Sequence, residues 1–312
     1  ALDAGSILPD IIAKQDEPMA DPSVCPTALL SQVTREKVTV ALSGDGGDEL
    51  FGGYEHFIGF KWAERFRKVS FLSLPILRTL RAVMPATTGY VSPRNVVNRF
   101  LTAVEAPSWL TTQTMLMACG PDLQRMMWRK PPLILGDEDE LFSETRRIFE
   151  QIPAKSAMDR VNYLYCRQFL LDYILFKVDR CSMLHSLEVR TPLLDTALIE
   201  FAFALPHRMK IKGTKRKYLI KKAFKDLLPP GILNRKKRGF LIPSALWLKE
   251  QLGDIVDELL GEDYLRKQKL FKPKYIQQMR RAHERGAKDL REELWTLLHL
   301  QIWLDKHKPR IA

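Results

Sequence analysis

"VALSGDGGDELFGGY", residues 40–54, decides how the rest of the chain is read. An apolar run meets a glycine-rich turn, and a helical pattern resumes beyond it. Strand, glycine turn and helix together make an anion-binding arrangement. Glycines let successive backbone N–H groups point inward, and a helix N-terminus adds partial positive charge. Ser43 adds a hydroxyl donor. Yet the turn also carries Asp45, Asp48 and Glu49, whose carboxylates repel phosphate. Two readings resolve the conflict. In the first, Asp48 and Glu49 merely cap the next helix. In the second, Mg2+ binds phosphate oxygens together with one or two carboxylates, and a further acid serves as general base. The turn is not a Walker motif, since no GK[ST] follows, and it is not GxGxxG.

The chain has 312 residues, 46% of them apolar, which suffices for one large domain or two small ones. No run of ~18 or more apolar residues occurs, so no membrane span is expected. The opening "ALDAGSILPD" has neither the basic start nor the long apolar stretch of a signal peptide. Cys25, Cys119, Cys166 and Cys181 show no CxxC spacing. Free thiols in a reducing cytoplasm are expected, with no disulfide framework and no zinc site.

The net charge is +12, and its location is informative. Between Arg208 and Arg238 thirteen Lys and Arg face one acid, Asp226, so this window carries the whole excess. A nucleic-acid protein spreads basic charge over a face and adds stacking aromatics. Here only Tyr218, Phe224 and nearby Phe240 are available. A small polyanion is therefore the expected partner, and nucleic acid the lesser expectation.

"ALLSQVTRE" reads as a short helix and "KVTVAL" as a buried strand. Several short helices, interrupted by prolines, are expected from Glu55 to about Phe149. Residues 157–187 read as one long helix, apolar all round and so buried. Residues 217–228 form an amphipathic helix, with Ile220, Ala223, Phe224 and Leu227 on one face, stopped by Pro229–Pro230–Gly231. Leu290, Leu294, Leu297 and Leu298 make another helical stripe. One strand does not make a stable sheet. Either further strands hide in ambiguous runs or the chain lacks the part that supplies them.

"SGDGGDELFGGY" resembles the second phosphate-site motif in the synthetase domain of glutamine-dependent asparagine synthetases. "DEPMADPSVCPTALLSQ", "LFKVDRCSMLHSLEVRTPLLD", "KYLIKKAFKDLLPPGILNRKKRGFLIP" and "ELWTLLHLQIWLDKH" are similar to further stretches of that domain, in the same order. The resemblance implies a helix-rich α/β fold of the adenine-nucleotide-hydrolase-like, PP-loop ATP pyrophosphatase kind. It implies an ATP- and Mg2+-dependent ligase that adenylates the side-chain carboxylate of aspartate. Ammonia from a glutaminase domain then attacks, giving asparagine, AMP and pyrophosphate. Related enzymes act on other carboxylates, including glycan, peptide and β-lactam precursors, and a non-catalytic RNA-binding module is the reading from another class.

Carried over by position, Ser43, Gly44, Gly46 and Gly47 would cradle pyrophosphate, and Asp48 would hold it through Mg2+. Asp45 would handle the proton of the attacking ammonia. Lys237 would steady negative charge on phosphorus and on the later oxyanion, and Lys217 would contact phosphate. Glu188 and Arg190 would line the substrate pocket or form a structural ion pair. Asp179 and Arg180 are read as structural, and His56 and Cys181 as packing residues. The family's first nucleotide motif, SGGxDS, and its N-terminal glutaminase domain do not occur in the sequence. Residues 1–312 are thus expected to form one incomplete synthetase domain, with its first strands missing and little or no activity alone. Homodimerisation is left open.

Overall fold

A computed structural model describes residues 4–68, 74–76, 78–79, 93–154, 156–233, 235, 239 and 242–309. Two helices precede the decisive turn: α1 (Ala4–Ala13) and α2 (Val24–Arg35). Asp21 starts α2 by accepting from both the N–H and the Oγ of Ser23, each at 2.7 Å, an Asx-type turn. Val24, Cys25 and Ala28 give α2 its buried face. Strand β1 (Val40–Leu42) follows, then the short helix α3 (Gly47–Phe51) and α4 (Glu55–Arg67).

From Pro93 to Gln151 the chain forms the expected series of short helices. Proline fixes the first residue of Pro93–Glu105 and of Pro121–Met127, where a missing N–H costs nothing. Helix α5 begins as Ala157–Leu164, widens to π geometry over Tyr165–Leu175, and closes as Phe176–Met183. Ser156 caps it by accepting from the Asp159 N–H at 3.1 Å. The expected long helix is therefore present but is neither regular nor buried all round. Leu171 and Met183 are about half exposed, because packing elements cover only part of its surface.

Strand β2 (Glu188–Arg190) lies in the run "LEVR", one of the ambiguous stretches. It pairs with β1 in parallel, with Val40 opposite Glu188, Ala41 opposite Val189 and Leu42 opposite Arg190. Bonds from Glu188 N–H to the Thr39 carbonyl (2.9 Å) and from Ser43 N–H to the Arg190 carbonyl (2.8 Å) extend the ladder at both ends. The expectation of a buried strand fails. Leu42 is 73% exposed, and among the described residues the sheet has two strands, so β1 also keeps a free edge.

Beyond β2 come α6 (Thr196–Ala204), α7 (His207–Lys210) and α8 (Tyr218–Ala223). The amphipathic helix expected over 217–228 stops at Ala223, and Phe224, Leu227 and Leu228 are exposed. Ile220 alone of that stripe packs inward, against the cluster of Leu50, Phe51 and Ala202. A short helix without packing on its apolar face does not extend. The C-terminal stripe forms as expected: α9 (Arg291–His307) buries Leu294, Leu297 and Leu298. These join Leu8 and Ile12 of α1 in the main core. Among the described residues no helix is long and apolar enough to cross a membrane. All four cysteines are free, and burial pushes their thiols up to about 12.

Candidate active site

The turn between β1 and α3 is held by its own backbone. Gly47 N–H donates to the Gly44 carbonyl (3.3 Å), Leu50 N–H to Gly46 (2.9 Å) and Gly53 N–H to Asp48 (2.7 Å). Gly46 has φ +85°, and a Cβ there would also overlap the Leu194 side chain. The open side of the turn is at Gly44, where an added Cβ would meet nothing within 4 Å. Helix α3 has only five residues, so it offers backbone N–H groups rather than a long aligned dipole.

The three acids of the turn have three different environments. Ser43 Oγ donates to Asp45 Oδ2 at 2.7 Å, which fixes Asp45 at the mouth of the turn. Asp48 forms an ion pair with Lys217, Nζ to Oδ1 2.8 Å. Glu49 is 2% exposed and accepts a hydrogen bond from the Tyr54 hydroxyl. Burial raises the Glu49 carboxyl above the usual range, and the same burial raises Tyr54. The charge conflict is thus partly removed by the fold itself, since one acid is buried against a tyrosine and another is paired with a cation.

The turn opens onto a cavity of about 720 Å3 lined by Ser43, Gly44, Asp45, Asp48, Glu49 and Tyr54. Its far wall comes from α5, through Phe169, Tyr173, Ile174, Lys177 and Val178. The π geometry of Tyr165–Leu175 lies along this wall, a distortion often found at functional sites. Asp21 and Ser23 reach the same cavity and hold Lys177, whose Nζ lies 2.9 Å from Asp21 Oδ2 and 2.8 Å from Ser23 Oγ. Gly239 also lines the cavity, two positions along the chain from Lys237. Lys237 lies outside the described residues.

Glu188 and Arg190 are not among the cavity residues. They pair with each other at the surface, Nε to Oε1 2.7 Å, while Leu187 and Val189 face the cavity. Arg180 pairs with Asp16 at 2.7 Å and Asp179 at 3.4 Å, a surface network as expected. Cys181 is fully buried, and His56 is held down to about 4 by burial. The basic window is partly consumed: Lys210 is buried, Arg216 bonds Glu55 and the Gly53 carbonyl, and Lys217 holds Asp48. Asp21, Tyr54, Lys177 and Lys210 were missed in the sequence. Only Asp21 had a signal, the "DPS" turn before a helix.

The sequence matches the model of the asparagine synthase family over residues 1–305. The chain belongs to that family. Asparagine synthetase [glutamine-hydrolyzing] 1 of Bacillus subtilis is 29% identical over 300 residues, covering 95% of this chain and 45% of the relative. A putative asparagine synthetase [glutamine-hydrolyzing] of Mycobacterium tuberculosis is 27% identical over 301 residues, covering 95% and 44%. Amidase chyE of Penicillium rubens is 23% identical over 249 residues, covering 70% and 34%. The chain spans about half the length of the two asparagine synthetases named above.

In this asparagine synthase family member the turn offers only hard oxygen donors. No cluster of three or more metal-binding side chains occurs among the described residues. That donor set suits magnesium held by one or two carboxylates, with phosphate and water supplying the rest. Asp48 stands at the turn's edge for such a role, with Asp45 beside it.

Proposed function

We propose that this chain is the synthetase part of an ATP-dependent amide-forming ligase of the glutamine-hydrolysing asparagine synthase type. Adenylation turns a poor electrophile, the aspartate side-chain carboxylate, into one with AMP as leaving group. Ser43, Gly44, Gly46 and Gly47 form the cradle for the pyrophosphate end of ATP, with the N–H groups of Gly44 and Gly46 as its donors, while those of Ser43 and Gly47 are bonded within the sheet and the turn. Asp48 holds the magnesium, which neutralises phosphate charge when bound. Asp45, oriented by Ser43, takes the proton that attacking ammonia must lose. Lys237 would steady charge developing on phosphorus and on the oxyanion, a contribution of roughly 3 to 4 kcal/mol for one such donor. A glutaminase domain on the longer polypeptide supplies the ammonia.

The observation that carries this reading is the Asp48–Lys217 pair over the glycine turn, at 2.8 Å. It is poised for an exchange of partners. Magnesium-phosphate brings a cation for Asp48 and an anion for Lys217, so each charge trades one counter-ion for another. Such an exchange avoids leaving either charge bare in a partly desolvated site.

Calorimetry on the chain tests it, with magnesium-pyrophosphate, magnesium-free pyrophosphate and AMP as ligands. Asp48→Asn is expected to weaken magnesium-pyrophosphate by about tenfold or more. Binding of magnesium-free pyrophosphate should hold or improve, because Lys217 is released. Equal magnesium-pyrophosphate affinity in wild type and variant refutes the reading. The asparagine synthetase relatives favour aspartate over a larger carboxylate, although the apolar wall of Phe169, Ile174, Val178, Leu187 and Val189 would suit the latter. AMP release with aspartate against larger carboxylic acids separates the two.

A further inference from the structure

Lys210 is 2% exposed and has no carboxylate partner among its hydrogen bonds. Its Nζ donates to Asn162 Oδ1 at 2.5 Å and lies 5.2 Å from the centre of the Phe203 ring. A buried ammonium is a costly way to fill space, because a methionine would fill it without desolvating a charge. Burial holds Lys210 down to about 8.

The ammonium determines how the amide of Asn162 is turned. It can only donate, so Asn162 presents its oxygen to Lys210 and its NH2 to the opposite side. There Nδ2 donates to the main-chain carbonyl of Glu49. That carbonyl belongs to α3, near whose C-terminal end helix carbonyls lack partners of their own. Glu49 directly follows Asp48. The relay therefore runs from α7, through α5, to the residue beside the magnesium-holding carboxylate. Packing reinforces it: a Cβ on Gly52, which ends α3, would lie 3.7 Å from Lys210 Cβ and closer still to Ile211.

We propose that Lys210, acting through Asn162, is a positioning residue that fixes α3 so that Asp48 meets the phosphate cradle. The role rests on the functional reading above. Lys210→Met keeps the volume and removes the ammonium, and Asn162→Leu removes the relay while keeping the lysine. Each is expected to raise the Kd for magnesium-pyrophosphate about tenfold in a chain that still folds, with a lower unfolding midpoint for Asn162→Leu, which leaves the buried ammonium without its acceptor. In an Asp48→Asn background neither should add a further loss. Amide hydrogen exchange over Asp48–Phe51 should quicken about tenfold in both variants, with or without ligand.

A folded variant with wild-type affinity and unchanged exchange overturns the proposal, and so does a loss that adds fully to that of Asp48→Asn. A Lys210→Met chain that does not fold overturns it too, since the lysine would then serve the fold as a whole. If wild type itself does not bind magnesium-pyrophosphate, the functional reading falls. The exchange rates still decide whether Lys210 holds α3.

Discussion

Gly53 has no room for a side chain. A Cβ there would overlap Asp48 Oδ1 and press on Lys217 Cε, so this glycine makes space for the ion pair that marks the site. Gly53→Ala is expected to part Asp48 from Lys217, to cost about 1–3 kcal/mol through overpacking, and to weaken magnesium-pyrophosphate binding. Thermal unfolding and calorimetry on the same sample check both effects, and a variant that behaves as wild type in both shows the space is not needed. The identities at this scale were legible in the sequence, because the glycines and acids are contiguous. Their roles were not. Asp48 and Glu49 are adjacent and both line the cavity, yet one pairs with a lysine while the other is buried against a tyrosine. Only the direction of each side chain from a five-residue helix separates them.

Helices α2 and α5 are joined by one buried ion pair. Lys177 and Asp21 expose 11% and 7% of their side chains, and Ser23 completes the cluster. Breaking one partner leaves a charge in a nearly dry place. Lys177→Met is therefore expected to destabilise the chain by about 3–5 kcal/mol, while the Lys177→Met/Asp21→Leu pair recovers much of the loss. Urea unfolding of the two single variants and the double variant measures this, and additive losses would contradict it. Helices were readable from periodicity where their apolar stripe is covered, as in α9. They were misread where it is not. The stripe of 217–228 predicted a helix longer than α8 because periodicity reports a face, not whether anything packs on it. Strand β2 was hidden since three residues are too few to show alternation.

Over the whole molecule, stability should fall in acid. His299 is 1% exposed, with its Nδ1 3.1 Å from the Trp295 carbonyl, and burial holds it down to about 4. Burial holds His56 and His207 to about 4 as well. A folded pKa below the unfolded value means the unfolded chain takes up the proton first. Each such histidine contributes stability that is full above about pH 6.5 and is lost as pH falls through about 4. Glu293, pushed up to about 7 by burial, works the other way, its contribution fading as pH rises through that value. The difference between wild type and His299→Leu isolates one group. It should grow in favour of wild type by on the order of 3 kcal/mol from pH 4 to pH 7, measured by urea unfolding at each pH, and a flat difference would contradict burial as the cause. The sequence by itself determined the strand–turn–helix at residues 40–54, the local concentration of basic charge, and membership of the asparagine synthase family. These are properties of neighbours along the chain. Tertiary structure alone decided that Lys217 answers Asp48, that Asp21 and Lys177 close the far wall, and that Lys210 sits under the turn. Those partners lie tens to more than a hundred residues apart, and local spacing carries no information about which distant charge will be buried beside which.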